Sequence, residues 1–323
     1  MQLRTLEIFC EIARRRSFSK AAETYGVSQS AVSQAVHHLE QQMGVQLIDR
    51  STRPLSLTNA GDVFHTGLVD ILGRYHRLAE EVSSAGRGLT GQLPIAAIYS
   101  IGLSYMPDAK EEFARLYPDI EVRTHYGSNE GVIKEVIAGH AELGLVSFPR
   151  SSKEIVSVAW QKEPIRLVCA PGHPLAKCTE VKPKDLDGVE MVGFESSLEL
   201  RQMIDSVLRR AGVRVDFQNE FDNADSIVRA IQVNESAGFL PEAVIRREAA
   251  NGALRVVACR ALSMTRPLGI IFRRSDRPSR AGYEFGSMLL GRPLEPDREK
   301  RSSGSHRKTT SDSSIDNQTS IVA

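Results

Sequence analysis

The stretch from Phe18 to Met43 constrains this chain more than any other. Its residues fall into two short helical patterns joined at one permissive position: Ala21, Ala22 and Tyr25 share a face of the first helix, Gly26 supplies the turn, and Val27 fills the angle between the helices. Ser28 is placed to cap the second helix. There Val32, Val36, Leu39 and Met43 recur at three- and four-residue spacing, which defines a buried stripe. The face left over carries Gln29, Ser30, Ser33, Gln34 and His37, with Ser28 at its head. Short and amide side chains of this kind hydrogen-bond base edges and phosphates and let a helix sit deep in a major groove. The pattern predicts a helix-turn-helix that reads double-stranded DNA. Two short helices with a polar outer face also occur in all-α domains that never touch DNA, so the flanks have to decide.

After Met43 the chain reads Gly-Val-Gln-Leu-Ile-Asp-Arg-Ser-Thr-Arg-Pro-Leu-Ser-Leu-Thr-Asn-Ala-Gly. Two short apolar runs around Arg50, Thr52 and Arg53 suit a β-wing that holds Arg50 and Arg53 toward a phosphate backbone. The order of helix-turn-helix, Leu-Ile-Asp-Arg wing, Arg-Pro-Leu-Ser-Leu-Thr-Asn-Ala-Gly and long helix resembles the LysR-type transcriptional regulators, closely over about the first sixty residues and more loosely beyond. That resemblance implies a DNA-binding homodimer that assembles further into a homotetramer. It also implies an effector domain similar to periplasmic solute-binding proteins, whose chain crosses between two lobes twice.

The rest of the chain fits a protein of several domains. With 323 residues, 41% hydrophobic and 25% charged, it is long enough for two or three. A formal net charge of +1 is too small to imply non-specific coating of nucleic acid, so any DNA contact must come from local placement of cations. No basic-then-apolar leader and no apolar run near 18 residues is present, which predicts a cytoplasmic protein without membrane contact.

Residues 1–58 read as a winged helix-turn-helix domain. Its first helix spans about 1–17, with Leu3, Leu6, Phe9, Cys10 and Ala13 inward and Arg14, Arg15 and Arg16 at its end, where cations either lean on DNA or complement the helix dipole. Thr58 can cap the next helix, which runs from Asn59 to about Gly86 within a linker at 59–90. In it Phe64, Leu68, Ile71, Tyr75, Leu78 and Val82 alternate steps of four and three, a heptad seam that predicts a dimerising coiled coil. Gly86, Gly88 and Gly91 then mark a hinge.

From 91 to 293 strands and helices alternate, the signature of parallel α/β layering. Strands are expected at 93–99, 121–126, 143–146, 165–170, 190–192, 215–221, 237–240 and 268–272, with helices at 103–117, 128–138, 198–211, 225–234 and 241–249. Two similar α/β halves suggest two lobes around a cleft. With the crossings placed near 161–164 and 265–268, the first lobe covers about 92–161 and 267–292 and the second about 163–265. The whole is thus a multidomain α and α/β chain. Ligands of open α/β folds gather where strands end and helices begin, which singles out Ser100, Ser128, Asn129, Ser196 and Ser197 for a small polar or anionic effector. Glu195 would repel an anion beside Ser196 and Ser197, and no cleft arginine is evident beyond Arg201.

Cys10, Cys169, Cys178 and Cys259 lack metal-site pairing. Cys169 and Cys178 lie nine positions apart, a spacing similar to that in peroxide-sensing LysR-type members. The segment where those members carry their pair reads Gly-Phe-Glu-Ser-Ser-Leu-Glu-Leu-Arg here, without cysteine, and the apolar neighbours of Cys169 favour a buried structural thiol. No phosphate loop, dinucleotide turn, nucleophile elbow or helical His pair at ligand spacing is found, so neither catalysis nor a metal or other cofactor is expected. Residues 294–323 are polar and Ser-rich, the composition of a disordered tail. Two functions stand at this point: a ligand-responsive transcription regulator, or a cytoplasmic small-molecule-binding module or enzyme whose helical N-terminus is a docking adaptor.

Overall fold

The computed structural model describes residues 2–84 and 89–295. Three helices, α1 (Leu3–Arg15), α2 (Phe18–Tyr25) and α3 (Gln29–Met43), build the head. Each start is chemically marked: Ser17 Oγ accepts the Lys20 N–H, and Ser28 Oγ accepts the Ala31 N–H. Gly26 closes α2 at φ 62°, a left-handed geometry that glycine adopts without strain. The wing is an antiparallel pair, β1 (Ile48–Asp49) with β2 (Ser56–Leu57).

Two expectations for the head are corrected. The inner face of α1 is broader than expected: Ile8 and Ile12 are buried with Leu6 and Phe9, Leu3 and Cys10 pack half-buried against that core, and Ala13 is half-buried, because α1 is packed from several sides by the other helices. Met43 is 38% exposed, since α3 ends there and Gly44 turns the chain away in left-handed geometry.

Helix α4 (Asn59–Ser84) follows, its first turn held by the Gly61 N–H donated to Thr58 Oγ1. The heptad seam divides along it. Phe64 meets the Phe9 ring at 5.5 Å and Leu68 is buried in the head core together with Leu72, so these turns serve their own domain. Ile71, Tyr75, Leu78 and Val82 are 58%, 48%, 58% and 69% exposed, a row of apolar side chains uncovered within one chain. Gly86 and Gly88 lie outside the described residues, as does the expected tail from 296 to 323, whereas Leu294, counted in that tail, is buried in the core of the C-terminal part.

The C-terminal part opens with β3 (Gly91–Ile98), α5 (Tyr99–Leu116), β4 (Ile120–Gly127), α6 (Asn129–Ile137) and β5 (Leu143–Ser147). The long β6 (Ile155–Cys169) leads into β7 (Glu190–Phe194), α7 (Glu199–Arg210), β8 (Asp216–Phe221), α8 (Ala224–Val233), β9 (Ala237–Pro241) and α9 (Glu242–Ala250). The chain returns through β10 (Arg255–Val257), β11 (Met264–Arg273) and α10 (Arg280–Leu290). Strand order is β4-β3-β5-β11-β6-β9-β7-β8, with β10 on β6. Strand β3 runs parallel to β4 and β5, and β7 parallel to β8 and β9, while β6 and β11 form an antiparallel pair between the two sets. One core gathers around Leu93, Ile95, Phe113, Leu143 and Phe285, the other around Val168, Met191, Ile227, Ile231 and Phe239.

The differences from expectation have local causes. Helix α5 begins at Tyr99, so Ser100 sits in a first helical turn and not at a strand end. Gly102 lets the Tyr126 ring pack on that turn, since a Cβ there would lie 2.3 Å from it. Strand β6 begins ten residues before the expected 165, because Lys162, Glu163 and Pro164 read as a linker until their partners on β11 are known. Helix α10 and strand β10 were not anticipated. Gly282 and Gly286 weaken the helical pattern of α10, yet Gly286 is what lets Leu294 approach: a Cβ there would come within 2.6 Å of its side chain.

Candidate functional sites: the head and the interlobe cavity

On α3, Gln29, Ser30, Gln34 and His37 are exposed and Ser33 is half-buried. Ser28 is committed as a cap and stands 2.9 Å from Ser30 Oγ. Gln29 accepts from Ser19 Oγ at 3.1 Å, and His37 Nε2 is 3.2 Å from Gln41 Nε2. The side chains of Ser33 and Gln34 make no hydrogen bond among the described residues.

The wing depends on a residue that the sequence reading passed over. Glu40, buried near the end of α3, accepts the Leu47 and Ile48 N–H groups at 2.9 and 3.1 Å with Oε1 and holds Arg50 Nη2 at 3.0 Å with Oε2. One carboxylate therefore fixes the start of the wing and aims its first arginine, whose guanidinium also lies 5.4 Å from the Phe18 ring centroid. The available signal was a charged residue next to Leu39 on the apolar side of α3. Arg53 is exposed and unpaired among the described residues. Arg14 and Arg15 are both held by Glu11, Arg15 Nε at 3.0 Å.

Between the lobes lies a cavity of about 680 Å³. Ser100, Ser128, Asn129 and Ser197 line it, joined by Ser147 and Arg266; Ser196 is not among the lining residues. Most of the remaining wall is apolar, including Ile98, Ile133, Val146, Phe148 and Phe194. The first turns of α5, α6, α7 and α8 all reach it. The lining polar groups also hold the fold: Ser128 Oγ accepts the Gly131 N–H at 3.1 Å, Asn129 Oδ1 accepts the Ser147 N–H at 3.1 Å, and Ser100 Oγ accepts from Arg266 Nη2 at 3.0 Å. At the rim, Arg150 of the β5–β6 loop pairs with Glu199 in the first turn of α7 at 2.5 Å, one lobe to the other.

Arg201 is a correction. It is buried away from the cavity, bonded to Asp205 at 2.9 Å and Glu220 at 2.7 Å, with its guanidinium 3.7 Å from the Phe217 ring centroid. The arginines at the cavity are Arg150 and Arg266, and the latter is legible only as a cation inside the run Met-Thr-Arg-Pro-Leu-Gly-Ile-Ile-Phe. Beneath Arg266, burial first and the Glu163 carboxylate second push the Tyr105 phenol up to about 12, which keeps it a hydrogen-bond donor.

All four cysteines are free thiols. Burial first and the neighbouring Cys178 second push Cys169 up to about 11, so it stays protonated and unreactive. Among the described residues no group of three or more His, Cys, Asp or Glu could hold a metal, and no helix is long and apolar enough to cross a membrane.

Comparison with known proteins agrees with this anatomy. Residues 3–62 match the family model of bacterial regulatory helix-turn-helix proteins of the lysR family, and residues 86–292 match the LysR substrate binding domain. A probable RuBisCO transcriptional regulator of Cyanidioschyzon merolae is 29% identical over 291 residues, covering 88% of this chain and 96% of that protein. The uncharacterized HTH-type transcriptional regulator YfeR of Shigella flexneri is 30% identical over 239 residues, covering 74% and 78%. Among solved structures, a full-length OxyR variant from Pseudomonas aeruginosa superposes with a TM-score of 0.71 at 20% identity, over 91% of this chain and 96% of that one. Full-length CbnR in complex with its target DNA gives 0.61 at 21% identity, over 90% and 100%. The regulatory domain of Synechocystis CcmR in complex with 2-PG gives 0.56 at 20% identity, over 62% and 97%. With both of its folded parts matched, the chain belongs to the LysR family of DNA-binding transcription regulators.

Proposed function

We propose that this regulator reads DNA with the exposed face of α3, is paired through α4, and responds to a small polar or anionic effector held between its lobes. The cavity carries the reading: it lies between two α/β lobes joined by β6 and β11, and the first turns of four helices bring backbone N–H groups to it. Ser100, Ser128, Asn129 and Ser197 would hold the effector. Gln29, Ser33, Gln34 and His37 would face base edges, with Ser28 and Ser30 at the helix start and Arg50 and Arg53 on the backbone. Ile71, Tyr75, Leu78 and Val82 would meet their equivalents in a second chain, placing two heads on a two-fold-symmetric site. That CbnR is seen with target DNA and CcmR with 2-PG supports both halves of this reading.

The effector acts only through unequal affinity for two lobe arrangements, so variants of the cleft should alter the response to effector more than the DNA affinity in its absence. The test joins footprinting on the promoter regions flanking the protein's own gene with calorimetry against 2-PG, shikimate and sulfate. The expected result is protection of a two-fold-symmetric site whose extent changes with one of these anions, and an effect of Ser128→Ala on ligand affinity. Absence of any protected site would return the head to the role of a docking adaptor.

A further inference from the structure

Where β6 and β11 pass between the lobes, Glu163 and Arg266 stand opposite each other in register. Both are almost wholly buried, 2% and 3% exposed, and Arg266 Nε donates to Glu163 Oε2 at 2.6 Å. The two side chains also hold groups from both lobes. Glu163 Oε1 accepts from the Tyr105 hydroxyl of α5 at 3.1 Å and from the Ala243 N–H in the first turn of α9 at 3.2 Å. Arg266 Nη2 donates to Ser100 Oγ, on the cavity wall, at 3.0 Å. A single polar network therefore starts in the cavity, passes through the paired crossing strands, and ends on one helix of each lobe.

Stability alone does not account for this pair, because an apolar pair of similar volume often serves a buried position as well or better. A buried guanidinium at a cavity wall offers something an apolar pair lacks, a fork of donors that fits a carboxylate or phosphate. Ser100 and Glu163 are the acceptors bonded to Arg266 among the described residues, and the guanidinium has five N–H donors to share. The surroundings agree. Helices α6 and α8 are capped at the cavity by Ser128 and Asn223, and α7 carries Glu199 in its first turn. Helix α5 has neither a side-chain cap nor an acidic residue there, and its second residue is the Ser100 that Arg266 touches.

We propose that Arg266 is the residue of the cleft that recognises an acidic group of the effector, exchanging the Ser100 hydroxyl for it, and that Glu163 is the positioning residue that passes this exchange to the angle between the lobes. The inference rests on the cleft being the effector site. An acidic group on Arg266 shares the guanidinium with Glu163 and loosens the contact that Glu163 shares with Tyr105 and Ala243, so the effector binds one lobe arrangement better than the other. A neutral ligand of the same shape leaves Arg266 on Ser100 and moves nothing.

The test uses the full chain and three probes, 2-PG, shikimate and sulfate, in calorimetry followed by DNA footprinting. Wild type binds at least one of the anions. The double variant Glu163→Gln/Arg266→Gln removes both charges together, leaves neither partner unpaired, and should weaken that anion by at least about tenfold. The apolar pair Glu163→Leu/Arg266→Met is expected to do the same and gives the answer if the first variant does not fold. Glu163→Gln alone should weaken binding about threefold and abolish the anion-driven change in footprint. If both double variants bind like wild type while Ser128→Ala is weakened, the cleft holds the effector and the assignment of Arg266 is overturned. If Ser128→Ala is also unaffected, the cleft reading itself falls. Failure of wild type to bind any of the three anions overturns the acidic-group assignment, and an unaltered footprint change in Glu163→Gln overturns the role of Glu163.

Discussion

On α3, the side chains of Ser33 and Gln34 bond to nothing among the described residues, whereas around the interlobe cavity Ser100, Ser128 and Asn129 each already hold a side-chain hydrogen bond that shapes the fold. In the head, partner-facing and stabilising roles are only partly merged: Glu40 and the Ser17 and Ser28 caps hold the structure, Gln29, His37 and Arg50 each have a partner within the head, and the Gln34 side chain is left free. The cleft uses one set of atoms for both purposes. Positions such as Ser33 and Gln34 can change sequence preference without cost to the fold, while a ligand in the cleft must share or displace structural hydrogen bonds. That sharing is what lets occupancy become a movement.

The largest expected effect tests how the two regions communicate. Ile71 is exposed on α4, beyond the turns that pack on the head, so Ile71→Asp should leave the monomer folded and break the pairing of chains. Two heads bound together gain from effective concentration, and their separation should reduce operator affinity by about a hundredfold or more. Sedimentation and band-shift measurements check this. An unchanged oligomer with full operator binding would remove α4 as the route between head and cleft.

Next in size is the head taken alone. Gln34→Ala should cost about 1–3 kcal/mol of operator affinity at one base pair and relax selection there, with no change in melting temperature. Arg53→Ala should weaken all sites alike and lower the slope of affinity against salt by about one. Coupled losses of stability and specificity in Gln34→Ala would show that the head is not built from separable parts.

How much of each region the sequence reveals follows from the same contrast. The turn at Gly26, the Ser28 cap and the stripe through Val32, Val36 and Leu39 are set by residues at most four positions apart, so periodicity exposes them. The cleft is assembled across the chain: Arg266 meets Ser100 at a separation of 166 residues and Glu163 at 103. Sequence pattern located the helix starts at Ser128 and near Ser197, because capping is local, but chose Arg201 as the arginine. In sequence both look alike, a cation beside apolar residues. Only the third dimension shows that Asp205, Glu220 and Phe217 enclose Arg201 while Arg266 faces the cavity. Phe64 and Leu68 failed for a related reason, since a heptad step does not say whether the facing surface belongs to a second chain or to the head's own core.

Ser128→Ala sharpens the comparison from the cleft side. Loss of the cap on α6 should lower stability by about 1 kcal/mol, and the same substitution should weaken effector binding. Calorimetric unfolding and ligand titration on one sample read both quantities. A variant that loses ligand affinity with an unchanged melting temperature would show that the cleft keeps recognition apart from stability, as Gln34 does in the head.

The smallest effect concerns the place where head and first lobe meet. His65 on α4 lies with its ring centroid 6.4 Å from that of Phe9, and His140 follows the turn at Gly139, where a Cβ would come within 2.7 Å of Val69 of α4. Burial is the main cause that lowers both imidazoles below their ordinary value of 6.5. The charged groups around them act differently: Asp62 favours the proton on His65, whereas on His140 Glu135, 3.4 Å from Nδ1, and Glu11 favour it and Arg14 and His65 oppose it. Because the folded values are lowered, the unfolded chain binds more protons as pH falls. The contribution of this contact is therefore complete above 6.5 and is lost progressively as pH drops through that value toward the lowered ones. Melting temperature recorded from about pH 7.5 to about pH 5.5 should decline more steeply in wild type than in the His65→Asn/His140→Asn variant. Equal slopes would mean that protons lost elsewhere govern the acid limb and that the junction between head and lobe is indifferent to pH.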